Sequence, residues 1–232
     1  MVNRRQASHL TPPAIEAGLG LRVAGKPDTV LKNACLPALR IQFNQKTLGF
    51  TSLDLSARVT RYMLCGENQQ MGNAREDYRI LPLCKGTNAL YWAAVTVNFQ
   101  FVNSVYQLVD AAIIVFEGEA FAERKVPILR AEWHCADEHM QAIHAQPHWH
   151  VYHPPRQFIG PGFSAGLPSE FSPESQEDGV DERDVQLMQF HFAMSAGWQR
   201  GEVNAHVAAI TNEAALSKWL SGCLAYIVGQ LS

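Results

Sequence analysis

Tyr91-Trp92-Ala93-Ala94-Val95-Thr96-Val97-Asn98-Phe99-Gln100-Phe101 is the stretch on which the fold turns. Its odd positions, Tyr91, Ala93, Val95, Val97, Phe99 and Phe101, are apolar, while Thr96, Asn98 and Gln100 fall on the other face. That period of two is the pattern of a half-buried strand. Asn103-Ser104 can turn the chain, and Val105 to Phe116 is then apolar on both faces apart from Gln107 and Asp110, as expected of an interior strand. Glu117-Gly118-Glu119 breaks it. Ile128 to His134 and Gln146 to Tyr152 read as two more strands. The gaps after Phe101 and Phe116 are too short for the crossover helices that parallel pairing requires, so these segments predict an antiparallel meander.

Upstream, Leu39-Arg40-Ile41-Gln42-Phe43 alternates like a short strand. From Thr51 to Leu64 the apolar residues Leu55, Val59, Tyr62 and Met63 recur at three- and four-residue spacing, which predicts a helix ended by Gly66. Residues 1–30, with Pro12-Pro13, Gly18, Gly20, Gly25 and Pro27, read as an irregular N-terminal arm. Downstream, 154–183 is rich in proline, glycine and acids and reads as a long loop. Over Asp184 to Trp198 the spacing of Val185, Met188 and Phe192 favours a helix, against the strand-like alternation of Met188 to Phe192. Leu216, Trp219, Leu220, Cys223, Leu224, Ile227, Val228 and Leu231 form one stripe at helical spacing, with Thr211 or Asn212 as N-cap and Glu213 in the first turn. The expected architecture is α+β: one domain over 31–232, its central antiparallel meander packed against helices and closed by a C-terminal amphipathic helix.

Composition narrows the function classes. The 232 residues are 47% hydrophobic and 18% charged with a net charge of -3, a globular balance lacking the basic excess of a protein that grips nucleic-acid backbone. Nucleic-acid binding through a local patch therefore stays open but is not indicated by charge. Five scattered cysteines without a C-x-x-C argue against a disulfide framework. The first residues have no apolar stretch behind their charges, and Ala111 to Phe116 is too short to span a bilayer. A cytoplasmic protein without membrane association is expected.

The chemistry concentrates in histidine. Six of the 9 histidines, His134, His139, His144, His148, His150 and His153, fall close together. On strands, residues two apart share a face, so Arg130, Glu132 and His134 point one way, as do His148 and His150, with Trp133 and Trp149 opposite them. Paired as neighbours, the two strands bring Arg130, Glu132, His134, His148 and His150 to one patch. A His-x-His pair delivers two imidazoles to one metal ion; Glu132 or His134 supplies a third ligand and His191 or water a fourth, the arrangement of catalytic zinc. Without a metal, the same face serves acid–base catalysis, Glu132 orienting an imidazole and Arg130 holding a phosphate or carboxylate. The bland alternative is a histidine-rich solvent face. His9, His139, His144 and His206 are expected to be surface or satisfied core residues, Cys135 a buried thiol off the patch, and His153 out of phase with it.

Three resemblances bear on these residues. His148-Trp149-His150-Val151-Tyr152-His153 resembles the histidine triad of nucleotide hydrolases, with the third histidine one residue late. The His-x-His resembles the first half of a cupin metal motif, but His153-Pro154-Pro155-Arg156 stands where the glutamate belongs. Arg130-Ala131-Glu132-Trp133 followed by His144-Ala145-Gln146-Pro147-His148-Trp149-His150 resembles uncharacterised prokaryotic proteins found in mobile defence or toxin–antitoxin loci. That resemblance implies a cytoplasmic bacterial protein working with partners from its own operon.

Missing motifs also decide. With no P-loop, no G-x-G-x-x-G after a strand, no G-x-S-x-G and no H-E-x-x-H, the corresponding nucleotide, hydrolase and protease chemistries lose support. Asp110, Glu117, Glu119 and Lys125 make a poor nuclease pattern, and Asp110 is expected at a sheet edge. The sequence-based expectation is a histidine-centred hydrolase of a phosphate-containing substrate, dependent on a divalent metal such as zinc, with Glu132 and Arg130 catalytic and His148, His150, His134 and His191 as ligands. The alternatives are a non-catalytic subunit or recognition module of a defence or toxin–antitoxin assembly, and a small-molecule sensor.

Overall fold

The computed structural model describes residues 20–71, 78–86, 89–122, 125–135, 147–152, 192–193 and 209–232. Its elements are, in chain order, β1 (Arg22–Val23), α1 (Pro27–Val30) running through a π-helical turn (Leu31–Cys35) into α2 (Leu36–Phe43), β2 (Gly49–Asp54), β3 (Val59–Cys65), β4 (Gln70–Met71), β5 (Arg79–Lys85), β6 (Leu90–Val102), β7 (Val105–Glu117), β8 (Val126–His134), β9 (His148–Val151), β10 (Phe192–Ala193) and α3 (Glu213–Leu231). The class is α+β, a large antiparallel sheet with a few helices. Its main path runs β10-β9-β8-β7-β6-β3-β2, with β1 added to β7, β5 to β6 and β4 to β5.

The expected meander is present as β6 to β9, each strand antiparallel to the next. The β6–β7 hairpin is as tight as its sequence predicts: Asn103 and Ser104 both adopt positive φ, 49° and 65°, the handedness that lets a two-residue turn follow the twist of its strands. Along β6 and β7 the odd residues Tyr91, Ala93, Val95, Val97, Ala111, Ile113 and Val115 enter one core with Ala131 and Trp133 of β8. The helices close this face. Leu31, Leu36, Leu39 and Phe43 reach it from one helical run and Leu216, Trp219, Leu220, Leu224 and Ile227 from α3. On the opposite face a smaller cluster of Tyr78, Ile80, Trp92, Ala94, Ile114 and Phe116 covers one end.

α3 begins as expected. Asn212 is its N-cap, its side-chain oxygen accepting from the Ala215 N–H at 2.9 Å. No helix among the described residues is long and apolar enough to cross a membrane.

Several sequence expectations are corrected. Residues 39–43 are helical, within α2: the buried Leu36, Leu39 and Phe43 share a helical face, and Asn44 ends the helix in the left-handed region with φ 50°. Five residues of alternation carry too little information to separate the two periods. The helix expected over 51–64 is instead the β2–β3 hairpin, with Leu53 opposite Arg61 and Thr51 opposite Met63. Leu55, counted as part of a helical stripe, is exposed in the connection, where the Ser56 hydroxyl accepts from the backbone of Arg58 and Val59. Phe192–Ala193, within the segment read as helical, is a strand paired with Trp149 and His148. Asp110 lies inside the sheet between Asn98 and His134, not at its edge. The loop expected over 154–183 falls outside the described residues. Within the expected arm, Leu21 and Val23 pack into the core.

Candidate metal centre

Register builds the site. β8 pairs with β9 so that Glu132 faces His148 and Arg130 faces His150, while across β7 Asp110 faces His134. Trp133 and Trp149 turn to the helical side, Trp133 in the core and Trp149 beside the Tyr226 ring of α3 at 6.0 Å. Alternation then forces Arg130, Glu132, His134, His148 and His150 onto the other face. The convergence expected from the sequence is what the sheet produces.

Glu132 is the hub. Its carboxylate is ion-paired to the Arg130 guanidinium through Nη2. The same Oε1 lies 2.8 Å from His134 Nε2, and Oε2 lies 3.2 Å from His150 Nε2 and 3.9 Å from His148 Nε2. The Nε2 atoms of His148 and His150 approach to 2.9 Å. Glu132 and His148 are buried, at 4% and 1% exposure, whereas the His134 side chain keeps 41% of its surface. Burial alone would raise the Glu132 carboxyl, but bonds from His134 and His150 and the charge of Arg130 outweigh it and hold the group well below the usual carboxylate range.

Burial likewise works against a charged His134, yet the carboxylates of Asp110 and Glu132 on its two ring nitrogens push it up to about 9. Asp110 moves the other way from Glu132: burial raises its carboxyl, offset in part by His134.

One donor atom each from Glu132, His134 and His148 lies within 4.8 Å of the others, a set able to hold a metal ion. The fit can be tested on distance. Zinc–nitrogen bonds of about 2.0–2.1 Å place tetrahedral donors about 3.3 Å apart. Within the set, Glu132 Oε1 lies 2.8 Å from His134 Nε2 and Glu132 Oε2 lies 3.9 Å from His148 Nε2, one on each side of that value. One carboxylate and neutral imidazoles are also a donor set that zinc accepts.

Arg130 is not the free cation that anion binding alone would suggest, since Glu132 holds it. Its Nε is buried without an acceptor, and a quarter of the side chain remains in solvent. His191, expected as a fourth ligand, lies outside the described residues, as do His9, His139, His144, His153 and His206. Cys135 sits off the patch but is half-buried rather than buried as expected, its thiol accepting from Gln107 at 3.5 Å and pushed up by desolvation. Lys125 is buried against the Trp92 ring, its ammonium 4.6 Å from the ring centroid and donating to the Ala122 carbonyl at 2.7 Å.

Two partners escaped the sequence reading. Asp110 Oδ2 lies 3.0 Å from His134 Nδ1, and Asp110 Oδ1 accepts from Asn98 Nδ2 at 3.0 Å. Asn98 in turn accepts from Arg61 Nε at 3.3 Å. The available signal was a lone acid in an apolar run, one strand away from an amide on the polar side of β6. Comparison with protein-family models, curated proteins and solved structures finds no match for this chain.

Proposed function

We propose that the protein is a hydrolase of a phosphate-containing substrate, dependent on a divalent metal, zinc by its donor set, held by Glu132, His134 and His148. The observation that carries this reading is the meeting of three donor atoms within 4.8 Å of one another on a largely buried sheet face. A buried carboxylate and imidazoles cost desolvation energy that an apolar sheet face would not. A bound metal turns that cost to use, supplying Lewis acidity and a water ionised near neutral pH.

The chain's own residues complete the chemistry. Glu132 carries the negative charge that offsets the ion. His150, within hydrogen-bond reach of Glu132 and His148 but outside the three-donor set, is the group placed to accept a proton from water or return it to a leaving oxygen. Arg130, a quarter exposed beside Glu132, contributes a planar cation for a phosphate oxygen.

A second reading rests on the same His150. As a fourth ligand it would close the tetrahedron, and closed zinc sites are structural. The protein would then be a metal-stabilised subunit or recognition module of a larger assembly.

Elemental analysis of protein purified without a histidine tag should find about one equivalent of metal, and Glu132→Ala with His148→Ala should remove it together with hydrolysis of an aryl phosphate ester. No metal, with none taken up on titration, ends the metal reading. Metal retained at full occupancy with no hydrolysis, and a cobalt spectrum indifferent to added phosphate, selects the closed site.

A further inference from the structure

We infer that Asp110 is the positioning carboxylate of the metal centre, aiming His134 through Nδ1 so that Nε2 points at the ion, with Asn98 fixing the aspartate. The inference rests on the metal reading above and adds to it the group that sets the orientation of one ligand.

A backbone irregularity interrupts β7. Asn98 pairs with Asp110, but the next pair is Phe99 with Leu108, so Val109 is an extra residue, a β-bulge. The bulge reverses the facing of β7. On its near side the even residues Tyr106 and Leu108 pack on the helical core; beyond it Ala111, Ile113 and Val115 do. Asp110 is thereby the first residue beyond the bulge to face the polar side, directly across from His134. Bulges re-aim side chains in this way. This one is held: the Val109 carbonyl accepts from Cys135 N at 2.9 Å, and the Leu108 N–H donates to Leu21 at 2.8 Å. Gly20 lies so close that a Cβ there would stand 2.5 Å from the Leu108 carbonyl oxygen.

What the bulge delivers is a carboxylate with a divided task. Oδ1 is occupied by Asn98 Nδ2. Oδ2 is buried and has no aligned hydrogen-bond partner, but stands 3.0 Å from His134 Nδ1 in an ion pair. Asn98 can only hold Asp110 this way round, because its own oxygen accepts from Arg61. On the far side of the imidazole, Nε2 is 2.8 Å from Glu132, within the donor set. A ligating histidine that gives its other ring N–H to a carboxylate has its tautomer and ring plane fixed.

Two measurements on the full-length protein test this. Zinc competition against a chromophoric chelator should show Asp110→Asn weakened about 10- to 100-fold and Asn98→Ala weakened less, each with a cobalt spectrum shifted in band position. An Asp110→Asn affinity within twofold of the parent overturns the proposal. Because a buried substitution can fail to fold, the second measurement uses the unaltered chain. Long-range ¹⁵N–¹H spectra of the zinc-loaded protein should show the His134 proton on Nδ1 and zinc on Nε2; zinc on Nδ1 overturns the assignment. If the protein takes up no zinc, the metal reading itself has failed; zinc bound with His134 ligating through Nδ1 fails the orientation alone.

Discussion

β7 and β8 present two buried faces made by the same residues in alternation, and the two are buried by different physics. On the helical side Ala111, Ile113, Val115, Ala131 and Trp133 are at most 1% exposed and belong to one apolar core with residues of the sheet and helices. On the other side Asp110, Glu132 and His148 are at most 9% exposed, yet each is polar or charged. The first face is stabilised by removal of apolar surface from water, roughly 25 cal/mol per Å². The second must offset a desolvation penalty of several kcal/mol per ion, and its bonds recover that only if every partner is in place. A network of this kind is poor evidence for stability. It is therefore the face where function is to be sought, and the helices hold the apolar face so that the polar one keeps its register.

The contrast gives an ordered set of expected effects. The largest belongs to the apolar side: Trp133→Ala should cost about 3–5 kcal/mol of stability in urea unfolding, since a large buried ring leaves a cavity that the sheet cannot close. Glu132→Gln, one residue away on the other face, should cost less, about 1–3 kcal/mol. Arg130 and His134 are 25% and 41% exposed and can regain water when their partner's charge is lost. Its effect on zinc affinity should be the reverse in rank, a loss of more than about 100-fold. If Glu132→Gln unfolds the protein as readily as Trp133→Ala, the polar face is a structural element of equal weight and the contrast fails.

Much of this was readable from residues because the central strands are long. Thirteen residues in β6 give several turns of the period-two pattern, and once β8 and β9 pair, the facing of Arg130, Glu132, His134, His148 and His150 follows. Shorter segments were misread for want of length: five residues at 39–43, and a spacing over 51–64 that fits either period until Leu55 is seen to sit in a turn. Asp110 was missed for a different reason. An alternation rule assumes an unbroken register, and the bulge at Val109 breaks it within the apolar run, where no side-chain pattern marks it. Asn98 was visible as a polar-face residue but had no partner until Asp110 was turned toward it.

The polar face also makes stability depend on pH. His134 is raised from 6.5 to about 9, so the stability it lends the metal-free protein is complete below pH 6.5 and is lost as pH rises through about 9. Glu132 is depressed below 4.5, so its contribution is present above that value and is lost as pH falls. Melting of chelator-treated protein should therefore fall on both flanks. Zinc must displace the His134 proton, so affinity should rise about tenfold per pH unit from 7 toward 9 and then level off. A flat affinity profile over that range would remove His134 from the ligand set.

The smallest effect tests whether the two faces are independent. Asn212→Ala removes the side-chain bond to the Ala215 N–H that starts α3. Losing an N-cap of this type costs about 1 kcal/mol, read as a shift in the urea midpoint. Asn212→Asp should restore most of it, because aspartate caps equally well and adds a negative charge at the positive end of the helix. Neither change touches a residue within the donor set, and α3 lies across the sheet from it. Zinc affinity should stay within twofold of the parent for both. A larger loss in Asn212→Ala, recovered in Asn212→Asp, would mean that the helix sets the spacing of β8 and β9 through the Trp149–Tyr226 contact, and that the apolar layer tunes the metal centre rather than merely carrying it.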